Sequence, residues 1–134
     1  MIKIQKKDFN LEKEINLIKS KHKNVGGVST FIGYVKNTNN NKKVKHINLE
    51  VYEDMAFKYL NDVCMSAKKK WQISDFLVIH RFGKLEINEK IVLVATFSIN
   101  RKDSYKASKY IMDFLKKDAP FWKKEFYKKD YSWL

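Results

Sequence analysis

The residues best suited to chemistry lie in the last third of the chain. Asn100, Arg101, Lys102 and Asp103 form a polar cluster between a β-type run and an amphipathic stretch. That stretch ends in Lys116-Lys117-Asp118 and is followed by Ala119-Pro120-Phe121-Trp122-Lys123-Lys124-Glu125. Pro120 cannot continue a helix, so the chain is expected to reverse there, with Phe121 and Trp122 anchoring the reversal in the core. The reversal is expected to hold Lys116 and Lys123 near each other. On a helical projection Lys116 lies beside Tyr105 and Met112, at the margin of the apolar stripe, where a lysine is partly desolvated. Two ammonium groups sharing a partly dry cleft disfavour each other's charge. An amine able to give up its proton near neutral pH can serve as general base, acid or transient nucleophile. With Arg101, the same cluster would clamp a phosphate. The lysines suit a solvated helix end equally well, where they complement the helix dipole.

Other chemistries find little support. His22, His46 and His80 are the three histidines, and no two stand at metal-ligand spacing, so no metal site is expected. Cys64, the single cysteine, falls within an apolar helical stripe and is expected to be a small buried hydrophobe. It can form neither an internal disulfide nor a cysteine-based zinc site. Neither a Ser-His-Asp nor a Cys-His apparatus has a local signature here. The glycine-rich strand-to-helix turns of dinucleotide and P-loop sites are also missing.

The elements that must position these residues can be read from periodicity. Asn10–Lys21, Asp54–Trp71 and Lys102–Lys117 carry apolar residues at helical spacing. Val28–Val35, His46–Tyr52, Ile73–Phe82 and Lys90–Ile99 read as strands, with further short strands at Ile2–Gln5 and after Pro120. The polar, asparagine-rich tract Lys36–Lys45 reads as a mobile loop. Direct strand-to-strand connections point to an antiparallel or mixed sheet with the helices on one side, an α+β fold. With 134 residues, no internal repeat and no linker composition, residues 1–134 are expected to form a single domain. No apolar run is long enough for a membrane helix, and MIKIQKKDFNLEKE lacks the features of a signal peptide, so a cytoplasmic location is expected.

Charge is the dominant compositional feature. Lys+Arg total 28 against 15 Asp+Glu, a formal net charge of +13. Such a field attracts anions, whether nucleic acid, an acidic protein or a phosphorylated small molecule. Arg81 and Arg101 are the only arginines, however, and nucleic-acid readers favour arginine for its bidentate contacts. A single-stranded nucleic-acid module would present stacking aromatics. Here the aromatics fall within strand and helix stripes, where a core accounts for them.

Four stretches resemble, in the same order, the large catalytic subunit of molybdopterin synthase. They are GGVSTFIGYVKN (Gly26–Asn37), LEVYEDMA (Leu49–Ala56), VIHRFGKLEINE (Val78–Glu89) and SINRKDSYKASKYIMDFLKKDAPFWKKE (Ser98–Glu125). The resemblance spans Gly26 to Trp133. It implies an α+β fold of the hammerhead type, with about three helices on an antiparallel or mixed sheet. It also implies a homodimer in which each subunit binds a small ubiquitin-like sulfur carrier, giving a heterotetramer. The carrier's C-terminal Gly-Gly thiocarboxylate would thread into a pocket. Two sulfur transfers would then convert cyclic pyranopterin monophosphate (precursor Z) into the molybdopterin dithiolene, with no metal or other cofactor, nucleic acid or membrane involved. By motif position, Lys116 and Lys123 match the family's two active-site lysines. Lys116 would transfer a proton or transiently accept an acyl group, and Lys123 would bind substrate and stabilise charge. Arg101 matches an anion-binding arginine. Tyr34, Val35 and Lys36 match the first substrate-lining segment, and Lys124 and Glu125 extend the last one, which holds Lys123. Two positions depart from the family pattern. Lys36 stands where arginine is common, losing the bidentate fork, and Asn100 stands where histidine is common, losing a titratable group. These departures leave open a member that keeps the fold with weakened activity. Retention of both Lys116 and Lys123 argues against it.

Overall fold

The computed structural model describes residues 1–128; the end of the resembling region, through Trp133, lies outside them. The elements run β1 (Ile2–Gln5), α1 (Leu11–Lys19), β2 (Gly27–Tyr34), β3 (Thr38–Asn39), β4 (Lys42–Val51), α2 (Glu53–Lys70), β5 (Ile73–Arg81), β6 (Gly83–Glu86), β7 (Lys90–Ser98), α3 (Arg101–Lys117) and β8 (Phe121–Tyr127). The fold is α+β, as the sequence indicates, with its strands divided between two sheets.

The first sheet has the order β1-β5-β7-β2. Strand β1 lies parallel to β5, while β5 with β7 and β7 with β2 are antiparallel. Both faces of β5 are apolar, and this changes where the helices go. Phe76 and Val78 pack with Leu60, Cys64 and Ala67 of α2 and with Ala107 and Ile111 of α3. Leu77 and Ile79 face the other way and pack with Phe9, Ile15 and Ile18 around α1. Helices therefore cover both faces, not one, because a strand that is hydrophobic on alternate and intervening positions needs two covers. Helix α1 starts where Asn10 accepts a hydrogen bond from Lys13 N at 2.9 Å, a side-chain N-cap.

The second sheet is centred on β4, which pairs antiparallel with β8 along one edge and with β6 and β3. Gly83, with φ of 87°, turns the chain out of β5, and β6 joins this sheet instead of pairing with β7. Its inner face buries Val44, Ile47, Leu49 and Leu85 against Val35. The tract expected to be a mobile loop, Lys36–Lys45, is instead a hairpin. Asn40 and Asn41 both have positive φ (50° and 65°) between the paired residues Asn39 and Lys42. Such a two-residue turn matches the strand twist, and asparagine tolerates its left-handed backbone better than most residues do. Among the described residues no helix is long and apolar enough to cross a membrane.

Candidate active site

Strand β8 places the lysine segment. Its register on β4 sets Lys123 opposite Leu49, Lys124 opposite Asn48 and Glu125 opposite Ile47. Side chains alternate along a strand, so Lys123 and Glu125 share the inner face with Ile47 and Leu49. Lys124 projects from the opposite face, its ammonium 5.4 Å from the centre of the Phe126 ring. The inner face opens into a cleft whose walls include Tyr34, Val35 and Lys36 after β2, Asn39 of the hairpin, and Lys123 and Glu125. Five of the residues singled out in the sequence thus converge, and Lys124 is separated from them by strand alternation.

Each wall of the cleft is held by specific bonds. Val35 is buried, and its backbone is fixed by Val35 N donating to Glu89 O (3.0 Å) and Asn88 N donating to Val35 O (2.9 Å). That leaves Tyr34 and Lys36 on either side exposed to the cleft. Arg81 backs this turn: its guanidinium donates to Lys90 O at 2.9 Å and to Lys6 O, and lies 3.4 Å from the Glu89 carboxylate. Glu125 is the polar hub. Its Oε1 accepts from Asn39 Nδ2 at 2.7 Å and from Tyr127 Oη at 3.3 Å, and the Lys123 ammonium lies 3.9 Å away. Desolvation, and next the Glu125 charge, hold the Tyr127 hydroxyl above the ordinary phenol range, so it stays a donor.

Beneath the start of β8, His80 stacks on Phe121 with ring centres 3.7 Å apart. Its Nδ1 lies 2.8 Å from Arg81 O, which fixes the proton on that nitrogen. Burial lowers its pKa from 6.5 to about 4, so the imidazole is neutral and serves as a flat apolar seat for β8. The other histidines are also occupied: His22 pairs with Asp75 at 2.8 Å, and His46 stacks on Phe126. Among the described residues no cluster of three His, Cys, Asp or Glu is placed to hold a metal.

Two sequence expectations need correction. Lys116 is exposed, not partly desolvated, because the neighbouring Phe114 and Leu115 take up the packing at the end of α3. It is not among the side chains lining the cleft. Helix α3 nevertheless runs back along β2, with Ser108 Oγ 2.8 Å from Ser29 Oγ, which carries its last turn toward the Tyr34 end of the sheet.

The second correction concerns Asn100 and Arg101, which stand at the opposite end, where Gly27 pairs with Ser98. The eight-residue strand β2 separates that end from Tyr34 by its full length, seven steps or about 23 Å at roughly 3.3 Å per residue. Arg101 therefore does not join Lys123 within one chain. It lines a separate open pocket with Gly26, Asn100, Lys102 and Lys106. Gly26 is required there, since a Cβ would stand 2.0 Å from Ile99 O. Asn100 caps α3, accepting from Asp103 N at 3.0 Å and donating to Asp103 Oδ2 at 3.1 Å. Sequence reasoning missed Asn39 and Tyr127, the two donors to Glu125. Asn39 was hidden in a polar tract read as a loop, and the identity of Tyr127 carries no signal without the strand register.

Residues 4–118 match the model of the MoaE protein family. The chain belongs to that family. MoaE-type relatives include the "Molybdopterin synthase catalytic subunit" of Ralstonia nicotianae, 42% identical over 124 residues that cover 92% of this chain and 70% of the relative. The protein of the same name from Haemophilus influenzae is 38% identical, with 99% of this chain and 88% of the relative covered. Among solved structures, the MoaE protein from Burkholderia ambifaria superposes with a TM-score of 0.86 at 32% identity, covering 95% of this chain and 87% of that one. The MoaE match extends from β1 to the end of α3 and takes in the Arg101 pocket and the Tyr34–Lys36 wall of the cleft, while β8, with Lys123 and Glu125, follows it.

Proposed function

We propose that this chain is the catalytic subunit of a molybdopterin synthase. It takes sulfur from the C-terminal Gly-Gly thiocarboxylate of a small ubiquitin-like carrier and inserts it into cyclic pyranopterin monophosphate to form the molybdopterin dithiolene. The observation that carries this reading is the family match over residues 4–118, together with relatives named as that subunit. The residue chemistry supports it. Cys64 is fully buried and its thiol is pushed up to about 12, so the chain has no accessible thiolate of its own to carry sulfur. Sulfur must come from a partner, as a thiocarboxylate supplies it. The cleft offers Lys36 and Lys123 to anionic groups beside the apolar Val35 and Ile47.

In this reading Lys123 binds substrate and offsets negative charge as it develops. Tyr34, Val35 and Lys36 form the facing wall, and Glu125 orients Lys123. Lys116 approaches from the end of α3 to move a proton or transiently accept the acyl group. Asn100 and Arg101 serve the same reaction from a second copy of the chain, since strand length keeps them from the cleft of their own. The homodimer, the carrier on each subunit, the cytoplasmic setting and a single unit over residues 1–134 belong to the same proposal. The test is reconstitution with thiocarboxylated carrier and precursor Z, following molybdopterin as its fluorescent oxidation product. The wild-type chain is expected to form product, and Lys116→Ala and Lys123→Ala each to lose it while remaining folded. A folded wild-type chain that binds the carrier and makes no product would overturn the reading.

A further inference from the structure

We propose that Arg81 is a positioning residue that locks the β-bulge by which the Tyr34–Lys36 wall is turned into the cleft. The wall's contact with substrate rests on the function proposed above; the lock itself rests on geometry alone. Strand β2 pairs residue for residue with β7 from Gly27 opposite Ser98 to Gly33 opposite Val92, and then Tyr34 pairs with Lys90. Ile91 is the extra residue, and such a bulge bends the strands and re-aims the side chains beyond it. Before the bulge, Val28 and Ile32 pack in the layer around α1. After it, Val35 packs with Ile47, Leu49 and Leu85 of the second sheet, and Tyr34 and Lys36 line the cleft with Ile91.

Arg81 ends β5, which lies between β1 and β7, and it is the one buried cation among the described residues. Its guanidinium spans both neighbours. Nε and Nη2 donate to Lys6 O just past β1 at 3.1 and 3.0 Å, and Nη1 donates to Lys90 O at the bulge at 2.9 Å. Both terminal nitrogens lie 3.4 Å from Glu89 Oε1, while Glu89 Oε2 accepts from Glu86 N. The Glu86–Glu89 turn, with Asn88 at φ of 71°, is thereby tied to the bulge. That turn holds Val35 through two backbone bonds, Val35 N to Glu89 O and Asn88 N to Val35 O. Apolar packing keeps Val35 buried but is non-directional, so the bonded turn sets which way Tyr34 and Lys36 point. Arg81→Lys keeps the charge and loses the planar fork that reaches Lys6 O, Lys90 O and Glu89 together.

The test compares Arg81→Lys and Glu89→Gln with the wild type, first by amide hydrogen exchange of the intact protein, read residue by residue by NMR. The Val35 and Asn88 amides are expected to exchange about tenfold faster in both variants, the scale of a lost hydrogen bond to a charged group. The amide of Ile79, on β5 between β1 and β7, is expected to stay within about twofold. Glu89 is partly exposed and Glu89→Gln keeps its shape, so this variant reports on the lock even where Arg81→Lys does not fold. Unchanged Val35 exchange, or equal acceleration at Val35 and Ile79, would overturn the proposal. Kinetics with thiocarboxylated carrier and precursor Z give the second readout. A displaced wall weakens binding while Lys116 and Lys123 stay in place, so KM for precursor Z is expected to rise about tenfold with kcat within about twofold. A role confined to stability lowers the active fraction instead, and kcat falling at unchanged KM would also sink the lock. An inactive wild type whose variants show the selective exchange sinks the enzymatic reading alone. An active wild type whose variants lack it sinks the Arg81 role alone.

Discussion

Cys64 and His80 are both ionisable, both buried, and both driven by burial to their neutral forms. For Cys64 this removes thiolate chemistry from the chain. For His80 it ties stability to pH, with a definite sign. The folded imidazole takes a proton only near 4, against 6.5 for the unperturbed group. Between those values the unfolded chain binds more protons, so stability falls as pH is lowered through that window, by on the order of 3 kcal/mol in all. His80→Phe keeps a flat ring against Phe121 and removes the titration. Its stability loss between pH 7 and pH 5 is expected to be about 2 kcal/mol smaller than the wild-type loss. Urea unfolding at the two pH values checks this, and equal losses in the two proteins would show that His80 is not the buried neutral group described here.

At the scale of elements, the alternation of β8 decides which lysine faces the cleft. Lys123 and Lys124 are adjacent and identical in type, yet they stand opposite Leu49 and Asn48 on different faces of the sheet. Lys123→Ala is expected to reduce turnover by about 100-fold or more, as loss of a charge-stabilising group does. Lys124→Ala is expected to stay within about twofold, as for an exposed residue outside the site. Side-by-side kinetics of the two variants decide it, and a comparable loss in both would mean that β8 is misregistered on β4.

The same element shows where sequence reading reaches its limit. The three helices and the long strands β5 and β7 follow from strong apolar periodicity, and their observed bounds lie within a residue or two of those expected. In β8, FWKKEFY carries charges at its centre and shows no alternation of apolar with polar residues. Pairing with β4 makes it a strand, and that register cannot be read from the segment itself. Strand β6 has only Leu85 buried among four residues, too short a pattern to register. The family motifs made Lys123 and Glu125 legible, whereas the hydrogen-bonding that gives Glu125 its role depends on a hairpin assembled across the fold.

For the whole molecule, the governing fact is that one chain carries two cationic sites at opposite ends of the same strand pair. Gly27 with Ser98 marks the Arg101 end, and Tyr34 with Lys90 marks the Lys123 end. Helix α3 spans 17 residues, about 25 Å at roughly 1.5 Å per residue, so it joins the two ends without shortening the gap. A substrate the size of cyclic pyranopterin monophosphate cannot bridge it. If Arg101 and Lys123 act on one substrate, they must come from different copies, and a two-fold dimer supplies that arrangement twice.

Arg101→Ala and Lys123→Ala homodimers are each expected to be nearly inactive. Unfolding and refolding them together produces mixed dimers in which one of the two sites keeps both residues. With random pairing, half the dimers are mixed and each has one intact site, so activity should recover to about a quarter of the wild-type level. Recovery would establish that the catalytic unit is larger than the chain. Failure to recover, with mixed dimers confirmed by native mass spectrometry, would mean that Arg101 and Lys123 act within one chain, whereas an active Arg101→Ala homodimer would place Arg101 outside the reaction.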